Sequence, residues 1–468
     1  MSTSAFTNTK RVFYSGMLLM LFTALSCERS VSGLEEPGFS NNPNVFIDTF
    51  SAGLEYAAFA NTVPTAFQVD DGVVFEGEAA MRFEVPDAGD PRGAFAGGAF
   101  FTTSPRDLSE YDAITFWARA SEAVNIGEFG LGNDLGANTF IASIANVPVN
   151  SNWRQYIIPL PDAARLDGER GMFFFSAGAD PVTGRGYTFW VDEVKFETLG
   201  TIANPRAAIL NGQDQVASTF TGITTPIGGL QSTFNLPDGT DISVNASSAY
   251  FEFTSSNTST AEVDALGNVT VGAAGTAVVT ATLGDVQASG SLTVQSQGAF
   301  NAAPTPADAP SDVVSLFSDA YTNVPVNFFN GFWEFSTTGS ADFIVGGDNV
   351  LNYLDLNFVG IDFPSLDASG MTHLRMDFFL PTAIPAGTTF EVQVVDFGPD
   401  QAFGGGDDTA SQFEVFSNLN DGNWISFDIS FIDLGLISAG SRQNVSQIIL
   451  RTNSTIPNFF LDNVYFRR

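Results

Sequence analysis

Lysine is nearly missing from this chain: Lys10 and Lys195 are the only two in 468 residues. The other cations are arginines, and 52 acids outweigh them to a formal net charge of −34. So acidic a surface repels a phosphate backbone, which excludes nucleic acid as a partner. It suits neutral ligands, cations, or simple solubility in salt. Histidine occurs once, as His373. A Ser-His-Asp or Cys-His arrangement would have to use it, and in "MTHLRMDFF" it sits on an expected strand beside no plausible nucleophile. Cysteine also occurs once, as Cys27, so no disulfide can close within the chain. Phosphate loops, dinucleotide fingerprints and zinc-ligand spacings are missing too. Beyond the N-terminal segment no long stretch keeps a helical period.

What is present points to strands. Phe is abundant at 46, and Gly and Pro number 45 and 22. Runs such as "AAMRFEV", "AITFWARA", "YTFWVDEVKF", "FEVQVVDF" and "QIILRT" lie between Gly, Asn, Asp and Pro clusters. Short strands at this spacing predict all-β sandwiches. The length suggests roughly three domains, and 44% hydrophobic residues can fill their cores.

The N-terminus reads as a secretion signal: Lys10 and Arg11 precede a short apolar run, Val12 to Leu25. That run is too short to span a bilayer comfortably. It ends in Ala24-Leu25-Ser26-Cys27, which resembles the lipobox of bacterial lipoproteins in the looser form familiar in Bacteroidota. The resemblance implies lipidation at Cys27, an outer-membrane location and membrane attachment through that lipid alone. Residues 1–26 are then a signal peptide, and 27–42 a flexible tether.

The middle of the chain, 200–297, carries "SSNTSTAEVDALGNVTVGAAGTAVVTATLGDVQASGSLTV". Ser255, Ala261, Val263, Asp264, Gly267 and Val269, followed by Ala274-Gly275 and Val279-Thr280-Ala281, resemble the signature of bacterial Ig-like group 2 domains. Leu266-Gly267-Asn268 has the chemistry of a tight hairpin turn. Such domains are usually spacers or adhesive modules.

The flanking regions, 43–199 and 312–468 with a linker at 298–311, repeat each other. "FWVDEVKF" (189–196) parallels "FFLDNVYF" (459–466), and "NWRQYIIPL" (152–160) parallels "NWISFDISF" (423–431). "DLSEYDAITFW" (107–117) parallels "DASGMTHLRMD" (367–377), and "VFIDTFSAGLEY" (45–56) parallels "VVSLFSDAY" (313–321), with Phe50 over Phe317. Both regions resemble the jelly rolls of carbohydrate-binding modules, through residues 107–119, 153–160 and the closing strands. The third also resembles a C-terminal domain of secreted glycan-processing proteins of marine Bacteroidota, through 305–326 and 366–379. The expected fold is therefore all-β, two jelly-roll sandwiches separated by an Ig-like sandwich.

Each closing strand holds an acid. Period-two alternation places Asp192 with Trp190, Val194 and Phe196, and Asp462 with Phe460, Val464 and Phe466. A carboxylate on an apolar face needs a partner. Carbohydrate-binding jelly rolls often hold a structural calcium there, so the resemblance implies Ca²⁺ between Asp48 and Asp192, and between Asp319 and Asp462. The alternative is a carboxylate satisfied by backbone N–H groups. Other acid groups are Glu76 and Glu78 on one expected strand face near Glu84, and the loop acids Asp396, Asp400, Asp407 and Asp408. Neither group has the spacing of sandwich-fold glucanases, and catalysis is not expected, although an unrecognised carboxylate pair remains a reading.

Sugars are bound by aromatic faces with polar side chains reaching the hydroxyls. Trp333, in the aromatic-dense "NFFNGFWEF", is the leading candidate. Trp117 with Arg119, Trp190 and Tyr187 follow. Trp153 and Trp424 begin matching strands and are expected to be structural. The reading is a surface lipoprotein that binds extracellular polysaccharide without cutting it and serves a glycan transporter or glycosidases. A structural or adhesive surface protein is the alternative.

Overall fold

A computed structural model describes residues 39–331, 333–345 and 347–468. Cys27 and the segment 1–38, which carry the signal and lipidation expectations, lie outside them. Among the described residues the chain is all-β, with no α-helix and five short 3-10 turns.

The first module packs two sheets face to face. One runs in the order Arg154–Pro159, Ala113–Ala120, Thr188–Glu197, Asn44–Ile47, Thr49–Phe50, with Ala80–Glu84 and Phe67–Asp70 added beside the closing strand. The other contains Leu54–Ala58, Phe95–Arg106, Glu169–Gly178, Val124–Leu131 and Ala142–Val149. Between them lies a phenylalanine core. Phe83 meets Phe175 at 4.2 Å and Phe189 at 4.8 Å, while Phe116 meets Phe129 at 4.9 Å. Tilted and edge contacts of this kind add to the burial energy of the rings. The abundance of Phe is thus spent inside.

That second sheet does not stop at the module. Asp241–Ala246 pairs with Ala142–Val149, and Gln231–Asn235 and Ala203–Ala208 extend it to eight strands. Tyr250 is fully buried and donates to Phe140 O at 2.9 Å, closing the joint. The middle segment therefore shares a sheet and a core with the first module, instead of standing free as a spacer. Its other strands form a five-stranded sheet, in which Asp214–Thr219 runs parallel to Ser291–Ser296, and a three-stranded one. The expected hairpin turn is present. Gly267 has φ +76°, and Asp264 accepts the N–H groups of Leu266 and Asn268.

In the third module the long strands Asp348–Leu366 and Val445–Arg467 carry the sheet. The second half of Val445–Arg467 pairs with His373–Phe379, which pairs with Trp424–Ser430. Its first half pairs with Phe390–Asp396.

Both closing strands break the alternation at the same place. Glu193 and Asn463 have left-handed φ of 52° and 50°, and the ladder shifts register there. One extra residue at a bulge moves every later side chain to the other face. Asp192 and Asp462 therefore do not share a face with the residues expected: Val194, Phe196, Val464 and Phe466 point into the cores. Each aspartate instead faces away from the core beside Trp190 or Phe460. Each also accepts the N–H of the bulge residue, at 2.8 Å for Glu193 and 2.6 Å for Asn463.

Two further expectations shift. Phe46, not Phe50, occupies the place of Phe317: the two lie opposite Val194 and Val464. Glu76 and Glu78 lie in the loop before Ala80–Glu84 and not on a strand.

Candidate functional site

Trp333 sits in the loop between Val313–Phe317 and Gly339–Val345, laid across the backbone of Gly360. Any side chain at 360 would collide with the indole, so this glycine makes the seat possible. The loop is stapled to the strand beneath it. Gly331 N–H donates to Gly360 O at 3.1 Å, Ser336 Oγ to Phe358 O at 2.8 Å, and Asn357 Nδ2 to Phe335 O at 2.8 Å. Asn330 Nδ2 closes the loop on Thr338 O at 2.8 Å. The result is a cleft of about 710 Å³ lined by Phe328, Asn330, Trp333, Glu334 and Thr338 among others.

Two rings of this loop stand largely in solvent, Phe328 on the lining of the cleft and Phe335 just outside it. Phe328 is 55% exposed and Phe335 is 80% exposed. Phe335 also has φ +69°, a conformation that bulky side chains rarely adopt and that costs on the order of 1–3 kcal/mol. The Asn357 amide holds it there. Aromatic faces in water beside a half-buried indole and an amide are suited to stacking a flat apolar surface while bonding its polar rim. Phe328 and Phe335 were not singled out from the sequence, though the density of rings in 327–335 was the available signal.

The first module's candidates gather on the outer face of its seven-stranded sheet. Trp190 lies opposite Arg119 on one side and Arg82 on the other. The Arg119 guanidinium lies 5.7 Å from the Trp190 ring, and Trp190 Nε1 donates to Asp70 at 2.7 Å. Trp117 shares this face but is covered: Phe75 stacks on it at 3.8 Å and meets Trp153 edge-on at 5.9 Å. Tyr187 does not join them. Its ring is in the core, its hydroxyl reaches Asn125 O at 3.5 Å, and burial pushes its pKa up to about 12.

The aspartates come together as paired, but differently in the two modules. Asp192 accepts N–H groups from Phe75 at 2.9 Å, Glu76 at 3.4 Å and Glu193, while Asp48 accepts those of Glu78 and Ala79. Gly77 lies against the Asp48 carboxylate with no room for a side chain. Burial, offset in part by these bonds, raises the Asp192 pKa. In the third module, among the described residues, Asp319 accepts only the Asn349 N–H, at 3.1 Å, and Asp462 only that of Asn463. Burial, with Asp348, Asp319 and Asp377 nearby, pushes Asp462 up to about 7. Asp348 Oδ2 and Asn349 Oδ1 are buried without partners. Among the described residues no three His, Cys, Asp or Glu side chains stand in a metal-holding group.

Trp424 is an interdomain residue. Its Nε1 donates to Asn301 O at 2.7 Å. Phe220 of the middle segment and Phe300 of the linker pack with Trp424, Phe379 and Phe460.

Comparison with known proteins adds a family for one segment. Residues 239–294 match the bacterial Ig-like domain (group 2). No curated protein matches the chain. Similar solved structures include the family 11 carbohydrate-binding module of the cellulosomal cellulase Lic26A-Cel5E of Clostridium thermocellum. It is 14% identical over 31% of this chain and 96% of that one, with a TM-score of 0.21. The CBM22-1–CBM22-2 tandem of Paenibacillus barcinonensis Xyn10C is 9% identical over 93% of this chain and 98% of that one, with a TM-score of 0.22. At such scores the likeness carries no argument about the site.

Proposed function

We propose that this chain is a non-catalytic glycan-binding protein, displayed on a bacterial outer membrane by a lipid on Cys27, which captures extracellular polysaccharide for uptake or degradation. The observation that carries the reading is the Trp333 cleft, where the exposed ring of Phe328 and an indole seated on Gly360 line one hollow, with the exposed Phe335 two residues beyond the indole on a strained backbone. Strain of this kind persists where its surroundings enforce it, and it gathers at ligand sites. Native electrophoresis through gels containing β-glucan, xylan, alginate or α-glucan tests it. Retardation without new reducing ends is expected in at least one gel. Trp333→Ala should weaken it roughly tenfold, since a flat ring stacked on an aromatic side chain contributes on the order of 1–3 kcal/mol. Unchanged mobility of the variant would remove the site; new reducing ends would demand a hydrolase.

Calcium belongs to this proposal in a narrower form than the residue pairing suggested. The first module's Asp48 and Asp192 are already surrounded by N–H donors, which oppose a cation. Asp319 and Asp462, each with a single N–H donor among the described residues, oppose one less. Bound there, Ca²⁺ would supply positive charge to buried oxygens and nothing to any reaction.

A further inference from the structure

We infer that the outer face of the first module's seven-stranded sheet is a second glycan site, separate from the Trp333 cleft, and that it takes a neutral polysaccharide. The face carries one cross-strand row. Gln68 lies opposite Arg82, Arg82 opposite Trp190, and Trp190 opposite Arg119. Trp153 follows at the start of the next strand, one residue before Arg154, which pairs with Ala118 beside Arg119. Gln155 lies opposite Trp117 in the neighbouring row. Amide, guanidinium and indole groups thus alternate across a single surface.

Arg119 is the unusual member. Among the described residues nine cations sit in ion pairs, and Arg106, Arg170 and Arg442, which do not, are held by hydrogen bonds to backbone or hydroxyl oxygens. Arg119 has neither an ion pair nor a hydrogen bond, and of the arginines so placed it is the one that lies against an indole on this face. Its Nε is buried without a partner, and among the described residues no hydrogen bond engages its other nitrogens. The three acids on the strands beside it are already engaged. Asp70 is bonded by Trp190 and Gly72, Glu84 by Arg82, and Asp192 by three N–H groups. A guanidinium with unspent donors beside indole rings matches adjacent hydroxyls of a pyranose stacked on those rings. The same position in the third module is Phe379, opposite Phe460, and there the surface is sealed by Phe220 and Phe300. In the first module no other domain among the described residues packs on it.

The class of ligand follows from charge. Asp48, Asp70, Glu76, Glu78 and Glu193 ring this face on a chain of net charge −34, and such a field repels a uronate or sulfate polymer. A neutral glycan meets no such barrier.

The test is native affinity electrophoresis of the full chain, beside Trp333→Ala, Arg119→Gln, Trp190→Phe and the Trp333→Ala/Arg119→Gln double variant. The gels contain mixed-linkage β-glucan, xylan, α-glucan or polygalacturonate. Trp190→Phe copies what the third module carries at that position, so the fold accommodates it. Retardation by a neutral polysaccharide should weaken but persist in Trp333→Ala, fall about tenfold in Arg119→Gln through loss of charge-assisted bonds, fall less in Trp190→Phe, and vanish in the double variant. If Trp333→Ala alone abolishes all retardation, or Arg119→Gln changes nothing, the second site is overturned while the cleft stands. Retardation lost in Arg119→Gln but not in Trp333→Ala upholds this site and removes the cleft. Retardation by polygalacturonate alone overturns the neutral class.

Discussion

Trp190, Arg119 and Trp153 in the first module stand where Phe460, Phe379 and Trp424 stand in the third. Both sets lie on the outer face of the sheet that holds the closing strand, beside an aspartate bonded to its own bulge. In the third module the face is apolar and two phenylalanines from the preceding segment seal it. In the first, a loop of the module itself reaches over part of the face. Phe75 meets Trp153 edge-on at 5.9 Å much as Phe300 meets Trp424 at 6.0 Å, and the rest stays open. One scaffold thus presents the same surface as glue in one copy and as an accessible polar and aromatic face in the other. The exchange of Arg for Phe at one position, and Trp for Phe opposite it, is enough to separate the two uses.

The comparison breaks most visibly at Phe220, which is 2% exposed. Phe220→Ala should remove about 3–5 kcal/mol of packing between the middle segment and the third module. In differential scanning calorimetry the third module should then melt as a separate, earlier transition. Phe75→Ala, the corresponding change in the first module, involves a half-buried ring and should cost only about 1–2 kcal/mol.

A smaller effect should separate the aspartates. An acid whose folded pKa is raised binds its proton more tightly in the folded state, so stability is highest below the unfolded value. It falls as pH climbs from about 4 toward 7 and is level above that. In EDTA the third module should therefore lose stability over this range, and Asp462→Asn should restore on the order of 2 kcal/mol at pH 8. Melting curves from pH 4 to 8 read the difference. Adding Ca²⁺ should raise the melting temperature of the unaltered protein and leave Asp462→Asn unmoved. The smallest effect belongs to the joint between first module and middle segment. Arg165 and Glu252 bridge it at 2.9 Å, but Glu252 is largely exposed. Glu252→Gln should cost no more than about 0.5 kcal/mol by urea denaturation, because the shared sheet and Tyr250 hold that joint.

Much of this architecture was legible in the sequence because strands declare themselves by alternation and turns by Gly, Asn and Asp. Trp153 and Trp424 do align, and Trp117 and Asp377 do occupy equal places. The bulges were not legible. Nothing in "WVDEVKF" announces that Glu193 adopts a left-handed φ, and without it the alternation rule assigned Asp192 to the wrong face. The site was half legible. A loop crowded with rings pointed to Trp333, but the strain at Phe335 and the seat on Gly360 depend on three-dimensional contact. The Arg119–Trp190 row needed register, which sequence patterns leave open. Phe220 and Phe300 carried no signal in the sequence, since an apolar residue does not say which domain it will bury against.

The parallel pairing of Asp214–Thr219 with Ser291–Ser296 also has a mechanical meaning. One strand lies near the start of the middle segment and the other near its end. If the chain is held at its N-terminus while a polymer drags on the third module, the two strands are pulled lengthwise in opposite senses. All six residues of Asp214–Thr219 then resist together in shear, whereas an antiparallel hairpin would open like a zipper one bond at a time. Under such a pull the middle segment would carry the load in shear along the chain.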